Sequence, residues 1–351
     1  MTALTALPGA AAMNRDGVVP PLPWRRMTWV TWRQHRVALS GVAAFLGLVA
    51  VYVWLTGLQL HHAYDAALAC RPASSLTCGE SSSNFKGIGQ ILANGFLLQA
   101  VPALIGAFIG APLLSRELET GTFRFAWTQG FGRWRWTLAK LVMLALAVSV
   151  AAGAISMLFS WYYQPYFAAA NQALNLAQSP SLTPGLFDLR GITFAAWTLA
   201  AFAIGGLAGM VIRRVVPSIV ATLAVYAGLA AGTGGLLRQH YLAPVVTRSL
   251  NIPGTAWVLS AQWFDRHGRP VNQFLLGQVL QHGDPQLAGK GGVPKSFSTW
   301  QYLLHHGYTQ LTTYQPASRF WPFQWIEGGW LLALSVALIA ATVLLVRRRA
   351  I

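Results

Sequence analysis

The sequence predicts an all-α, polytopic membrane protein with six membrane-spanning helices. Of its 351 residues, 54% are hydrophobic and only 10% are charged, whereas about a quarter of the residues in a soluble domain are charged. The apolar residues also form long blocks, and a helix needs about 20 consecutive apolar residues to cross a bilayer. Basic residues collect at alternate ends of these blocks. Together these observations favour a lipid-embedded bundle over one or two soluble domains.

Six segments reach or approach the required length. They lie at 37–58, 91–114, 138–160, 192–212, 216–237 and 328–346. The fourth and fifth are separated only by Arg213 and Arg214, with Pro217 shortly after. Two arginines are expensive to bury in lipid, so we expect a tight turn here and two separate spans.

The orientation follows from the bias of Lys and Arg toward cytoplasmic loops. One side carries most of these residues: Arg25, Arg26, Arg33, Arg36, Arg116, Arg124, Arg133, Arg135, Lys140, Arg213, Arg214, Arg347, Arg348 and Arg349. The short loops on the opposite side hold only Arg71, Lys86 and Arg190. We therefore expect a plasma-membrane protein with both termini in the cytoplasm. Since bilayer-length spans separate the basic residues, the net charge of +16 does not indicate nucleic-acid binding.

Four regions follow from this topology. They are a cytoplasmic leader with an amphipathic helix at 1–36, five spans at 37–237 with a cytoplasmic loop at 115–137, an extracellular segment at 238–327, and the sixth span with a basic tail at 328–351. The extracellular segment is too long for a turn and should have structure of its own. Its 270–282 and 298–306 stretches are consistent with short surface helices.

Several kinds of chemistry lack the residues they need. The central parts of the spans contain no Asp, Glu, Lys, Arg or His, whereas proton-coupled transporters place such ionisable groups there. No phosphate-binding loop is present, so any ATPase must be another chain. The pairs His61-His62 and His305-His306 have no further ligands at suitable spacing, so no metal site is expected. Cys70 and Cys78 share one external loop, where a disulfide and two free thiols are the alternatives.

The loop after the second span is the most informative segment. Glu117 and Glu119 are two of only nine acidic residues in the chain. Gly121 can end the helix and reverse the chain direction, and the basic and aromatic residues that follow can dock on the anionic inner leaflet. On physical grounds alone, a solvated turn with basic anchors is the favoured interpretation.

A resemblance adds a second interpretation. The run PLLSRELETGTFRFAWTQ at 112–129 resembles the permease subunits of ABC-2 type ABC exporters, and in particular an actinobacterial group in which a stretch similar to RFWPFQWIE at 319–327 also recurs. The resemblance implies a type V exporter-like transmembrane domain that works with a separate ATP-binding subunit. It also implies a permease dimer, and ATP and Mg bound only through the partner.

The resemblance assigns roles to two groups of residues. The coupling segment that contacts the ATPase would comprise Arg116, Glu117, Glu119, Thr120, Gly121, Thr122 and Arg124. A connecting helix on the inner membrane face would contain Trp24, Arg25, Arg26, Trp29, Trp32 and Arg33, and tryptophans beside arginines suit such an interface. The family usually has a shorter external segment than 238–327.

Other functions remain open at this point. The long external segment also suits a non-transporting assembly factor or a receptor, whereas a membrane enzyme is disfavoured because no catalytic cluster emerges. For an exporter, the cargo would be an amphipathic drug, a lipid or a peptide-like molecule. Gly205, Gly206 and Gly209 put small residues on one face of the fourth span, for close packing either within the subunit or across a dimer.

Overall fold

The computed structural model contains six helices that are long and apolar enough to cross a membrane, as the sequence predicts. The structure describes residues 24–69, 83, 85, 96–121, 133–171, 181–249, 252–283 and 297–348, and within helices some side chains, including those of 24–32, lie outside the description. The six candidate spans are Ser40–Ala69, Leu98–Glu119, Trp134–Ala169, Gly191–Ile212, Val215–His240 and Ala317–Arg348.

The helices are numbered in chain order. They are α1 (Trp24–Ala69), α2 (Phe96–Ile105, a π-helical turn at Gly106–Gly110, and Ala111–Glu119), α3 (Arg133–Asn171), α4 (Pro184–Asp188), α5 (Gly191–Ile212), α6 (Val215–Gly232), α7 (Gln273–Gly283), α8 (Phe297–His305) and α9 (Phe320–Arg348). A π-helical turn (Thr233–Leu237) and a 3-10 turn (Arg238–His240) extend α6, and a 3-10 turn (Ala317–Arg319) precedes α9.

The first helix begins well before the first predicted span. α1 is helical over 46 residues, Trp24–Ala69, which corresponds to about 69 Å at 1.5 Å per residue. The predicted connecting segment is therefore helical from Trp24 and is followed by the first span without a non-helical residue.

α5 lies at the centre of the bundle, where glycines allow it to approach α2 closely. A Cβ added at Gly205 would lie 2.4 Å from the carbonyl oxygen of Gly106, and one at Gly209 would lie 2.4 Å from that of Ala111. Only glycine permits such backbone contact. The small face of the fourth span thus packs within the subunit, which decides between the two alternatives left open by the sequence.

The turn between α5 and α6 has the tight form that the two arginines predict. α5 ends where Arg213 adopts a left-handed conformation with φ of 62°, and the Arg213 amide donates to the carbonyl of Gly209 at 3.1 Å. Arg214 is extended, and α6 begins at Val215. The short turn forces α5 and α6 to run antiparallel as separate spans.

The chain is mostly helical, as predicted, and the segment between α6 and α9 adds a small sheet. This segment contains a four-stranded antiparallel sheet with strands β1 (Val245–Thr247), β2 (Trp257–Phe264), β3 (Pro270–Val271) and β4 (Thr309–Gln315). The strand order is β1-β4-β2-β3. β4 is rich in β-branched and aromatic residues, which pack well on a pleated surface. Because Pro270 belongs to β3, the predicted helix begins at Gln273 instead.

The two predicted surface helices are present and cover this sheet. α7 and α8 contribute Leu276, Leu280 and Leu303 to a buried cluster with Trp263 of β2. All four side chains are at most 5% exposed. We call residues 245–315 the sheet subdomain. It has a small core of its own and joins the bundle through α6 and α9.

Candidate functional site

Two groups of charged side chains lie at opposite ends of the helical bundle. The arginine-rich end holds the last turn of α2 and the α5–α6 turn, which contains Arg213 and Arg214. These two turns are adjacent, as the contact between Glu119 and Val215 shows. The other end holds the extension of α6 and the first turns of α9, which are joined by Arg238 and Glu327. Since α9 begins at this second end and crosses the bundle, its last residue, Arg348, lies at the arginine-rich end.

At the arginine-rich end, α2 terminates as the sequence predicts. Thr120 caps the helix with its amide at 3.0 Å from the carbonyl oxygen of Arg116, and its hydroxyl donates to the same oxygen at 2.8 Å. Gly121 follows with φ of 69°, a left-handed conformation that glycine adopts without steric cost. The chain thus leaves α2 by a sharp reversal.

Glu117 forms an ion pair with α3. Its carboxylate accepts a hydrogen bond from the Lys140 ammonium at 2.5 Å, and the two side chains are 16% and 1% exposed. A lysine so deeply buried requires an anionic partner, because an isolated buried ammonium would cost several kcal/mol. This contact therefore fixes the last turn of α2 against α3.

Glu119 makes the second contact, with α6. Its carboxylate accepts the backbone amide hydrogen of Val215 at 2.9 Å, which is the first residue of α6. The first amides of a helix have no partner within the helix, and a negative charge there also interacts favourably with the helix dipole. Since Arg214 itself gives no side-chain cap, the cap for α6 comes from α2.

The structure locates only part of the predicted coupling segment. Arg116 is exposed, and Glu117, Glu119 and Thr120 have the contacts given above. Thr122 and Arg124 lie outside the described residues, as do Cys70 and Cys78 and the side chains of Trp24, Arg25, Arg26, Trp29 and Trp32. The ATPase contact, the connecting helix and the disulfide therefore stay predictions, while both glutamates acquire partners inside the chain.

At the other end, Arg238 is the centre of a buried ionic cluster. Its Nε and Nη2 donate to Glu327 at 3.0 and 2.8 Å, and Nη2 also donates to Asp188. Arg238 and Glu327 are completely buried, whereas Asp188 is 23% exposed. The guanidinium lies over the Phe187 ring at 4.4 Å from its centroid. The cluster joins α4, the extension of α6 and α9.

Neutral donors complete the surroundings of the Glu327 carboxylate. The Trp197 indole of α5 donates to it at 2.9 Å, and the Tyr241 hydroxyl donates at 3.2 Å. Tyr241 in turn accepts from the Trp330 indole at 3.1 Å. Glu327 is therefore held by donors from three directions, as a buried carboxylate requires.

Asp188 leaves the cluster with a surplus of negative charge. Arg238 supplies one positive charge, whereas Asp188 and Glu327 supply two negative charges when ionised. Burial raises the pKa of Asp188 to about 7, an effect that Arg238 opposes and Glu327 reinforces. Asp188 is thus the member of the cluster whose charge is least compensated.

A cavity of about 600 Å³ lies against the cluster, between α2, α4, α5 and α6. Its wall is mostly apolar, with Gln99, Asp188, Trp197 and Tyr226 as the larger polar or amphipathic side chains. Trp197 and Tyr226 pack edge to face with centroids 5.5 Å apart. This volume lies within the range of small-molecule sites, which combine an apolar wall with a few convergent polar groups.

Sequence reasoning missed this cluster and cavity. Arg238 and Glu327 mark the limits of the predicted external segment, Glu327 also ends the 319–327 stretch of the resemblance, and Asp188 has no predicted role. A usable signal was present, since an arginine that ends one span and a glutamate that begins the next are well placed to pair. Among the described residues, no group of three or more His, Cys, Asp or Glu side chains could hold a metal ion.

The comparisons with known proteins agree with the architecture. Neither the curated proteins nor the solved structures provide a match to the chain. The model of the family described as ABC-2 membrane transporter related matches residues 43–238, which is more than half of the sequence. This match covers nearly all of the first five spans, the predicted coupling segment and Asp188, and it extends to Arg238. The chain belongs to the ABC-2 membrane transporter related family.

Proposed function

We propose that the chain is the permease subunit of an ATP-driven exporter in the plasma membrane. It works as a dimer with separate ATP-binding subunits, which bind the ATP and Mg, and it has no ATPase site of its own. The arginine-rich end, with both termini, faces the cytoplasm, in keeping with the bias of basic residues. The sheet subdomain then lies on the outer face.

The contacts of the last turn of α2 carry this proposal. Glu117 links that turn to Lys140 of α3, and Glu119 links it to the first amide of α6. Arg116, on the same turn, is exposed. A partner that pushes on Arg116 therefore acts on three spans at once, which is what an ATPase must do to convert its closure into a rigid-body movement of the permease.

A site-specific cross-link tests the proposed partner. We expect a photoreactive amino acid at Arg116 to cross-link the full-length chain to a co-purifying ATP-binding subunit. The matched control places the same amino acid at His267, which is exposed on the sheet subdomain and should give no such product. Equal cross-linking at both positions, or none at Arg116 although the two proteins co-purify, would refute the assignment.

Catalysis gives a second measurement. The purified chain alone should hydrolyse no ATP, and the complex with the ATP-binding subunit should hydrolyse it in a vanadate-sensitive manner. Hydrolysis by the chain alone would contradict the permease proposal.

A receptor or assembly factor remains the second candidate, because the sheet subdomain has its own core around Trp263. Val245 pairs with Tyr314 across the β1–β4 ladder, so the two ends of this subdomain are adjacent and a short Gly-Ser linker can replace it. A permease should keep the ATP-binding partner and its ATP hydrolysis after this replacement. A receptor that acts through the subdomain has no ATP-binding partner to keep.

A further inference from the structure

The cavity beside the ionic cluster combines an apolar wall with one carboxylate. Asp188 lines the cavity, whereas Arg238 and Glu327 lie behind it and do not. Because Glu327 is completely buried and Asp188 is 23% exposed, Asp188 is the anionic group of the cluster that a molecule in the cavity can reach.

The charge of that wall is negative when Asp188 is ionised. Arg238 forms a bidentate pair with Glu327 and also pairs with Asp188, so its single positive charge is shared between two carboxylates. Arg190 lies two residues beyond Asp188, but its guanidinium stacks on Phe167 at 4.1 Å and on Phe320 at 4.9 Å. In the described part of the chain, no salt bridge joins Arg190 to the cluster. A ligand cation would balance the surplus.

The aromatic wall favours the same class of ligand. Trp197 and Tyr226 both line the cavity, and the faces of aromatic rings attract organic cations. An anionic headgroup would meet the Asp188 carboxylate, and like charges at short range are unfavourable. A hydrated inorganic ion would leave the apolar part of the cavity unfilled.

We propose that this cavity binds an amphipathic monovalent organic cation, with its apolar body between α2, α5 and α6 and its charge next to Asp188. The inference rests on the proposed function, since it narrows the cargo of the permease to one chemical class. It concerns binding by the permease itself, however, and its test needs no ATPase.

Tetraphenylphosphonium and tetraphenylborate provide a matched pair of probes, because they have nearly the same size and shape and opposite charge. Binding of each is measured to the full-length chain in phosphatidylcholine nanodiscs, with empty nanodiscs to subtract partition into lipid. We expect saturable binding of tetraphenylphosphonium and none of tetraphenylborate. Equal binding of both probes, or binding of neither above the lipid background, would overturn the proposal.

Substitution of the carboxylate tests its position. Asp188→Asn should weaken tetraphenylphosphonium binding about tenfold or more, because it removes an opposite charge in a partly buried site. Asp65→Asn is the control, since Asp65 is an exposed carboxylate of α1 that does not line the cavity. An unchanged affinity in Asp188→Asn, or the same loss in both variants, would refute the assignment.

A change of volume tests the cavity independently of charge. Gly235 lines the cavity, and a Cβ at this position meets no atom within 4 Å, so Gly235→Phe should fill it without displacing the backbone. Gly228→Phe is the control, because Gly228 also has open space but does not line the cavity. We expect binding to be lost only in Gly235→Phe, and retained binding there would exclude this cavity.

The two proposals fail in different ways. If the cross-link from Arg116 to the ATP-binding subunit forms while tetraphenylphosphonium does not bind, the permease function stands and the cation site is wrong. If the cation binds with the predicted dependence on Asp188 while no ATP-binding subunit associates, the site stands as a receptor site and the exporter function is wrong.

Discussion

Removal of the Glu327 charge is the sharpest test of the buried cluster. The Glu327 carboxylate accepts hydrogen bonds from Arg238, Trp197 and Tyr241 and is completely buried. In Glu327→Gln, the NH2 group of the new amide faces the hydrogen-bond donors of Arg238, Trp197 and Tyr241 where an acceptor is needed. The completely buried Arg238 then keeps only Asp188 as an anionic partner. Loss of one member of a buried pair costs about 3–5 kcal/mol.

The assay is the free energy of unfolding in mixed micelles with increasing SDS. At 1.4 kcal/mol per factor of ten, the expected cost corresponds to a change in the folding equilibrium of about 140-fold to 4,000-fold. Asp188→Asn is the internal comparison, since it leaves the bidentate Arg238–Glu327 pair in place.

The two substitutions should change the free energy of unfolding in different directions as well as by different amounts. Burial raises the pKa of Asp188 to about 7, above the value of about 3.9 for an unfolded aspartate. At pH 8 the folded protein must therefore ionise Asp188 at a cost, and Asp188→Asn should be neutral or slightly stabilising there. Equal destabilisation by both variants, or a Glu327→Gln protein as stable as the wild type, would refute this account of the cluster.

Three further predictions concern packing, capping and pH. Gly205→Ala should destabilise the protein by about 1–3 kcal/mol through overpacking against Gly106, whereas Gly206→Ala, whose Cβ meets only a leucine methyl group at 3.5 Å, should be tolerated; equal unfolding free energies would contradict the α2–α5 contact. Glu119→Gln should lower the free energy of unfolding by about 1 kcal/mol in the same SDS assay, because it weakens a helix cap. A variant that is more stable than the wild type by more than the error of replicate titrations would disprove the cap. The affinity for tetraphenylphosphonium should rise roughly tenfold from pH 6 to pH 8 as Asp188 ionises around its pKa, and it should be independent of pH in Asp188→Asn.

The pH prediction depends on which groups face Asp188. Arg238 pairs with Asp188, Glu327 binds the same guanidinium, and Tyr226 lines the same cavity. The probe carries a permanent charge, so the prediction assigns the change in affinity to Asp188, whose pKa burial raises to about 7. A flat profile in the wild type would exclude Asp188 as the counter-ion.

Hydropathy predicted the number of spans because helices exposed to lipid are apolar whichever way they pack against one another. The same signal misjudged where two helices end. α1 continues to Ala69 and α3 to Asn171, beyond the predicted limits of 58 and 160. The polar residues there are stabilised by a helix pair, as His61 stacks on Trp161 with centroids 4.7 Å apart. Such partners are invisible to a scan of one segment at a time.

The sheet subdomain escaped prediction for a related reason. β2 and β4 pair across more than forty residues of sequence, with Trp257 opposite Gln315, and neither strand alternates cleanly between apolar and polar residues. Trp263 of β2 is buried because leucines of α7 and α8 pack against it. The helices gave a local signal, whereas the strands depended on contacts that the sequence does not display.

A charged residue at the end of a span can mark topology or belong to a buried ionic cluster, and the sequence does not distinguish the two. Arg213 and Arg214 are exposed in a turn between spans. Arg238 also lies at the end of a span but is completely buried. The difference depends on whether a carboxylate from another helix is within reach, and only the three-dimensional packing of α4 and α9 supplies Asp188 and Glu327.

The contacts at the two ends of the bundle meet in one helix. α6 is held at its first residue by Glu119, and its extension is held by Arg238 in the ionic cluster. Between these ends, its buried residues are Ser218, Thr222 and Tyr226. The cavity lies along the last turns of α6. In the proposed complex with an ATP-binding subunit, a displacement of the last turn of α2 would reach the cavity through α6. Glu119→Gln should then weaken the effect of ATP on the tetraphenylphosphonium affinity of that complex while leaving its affinity without ATP unchanged.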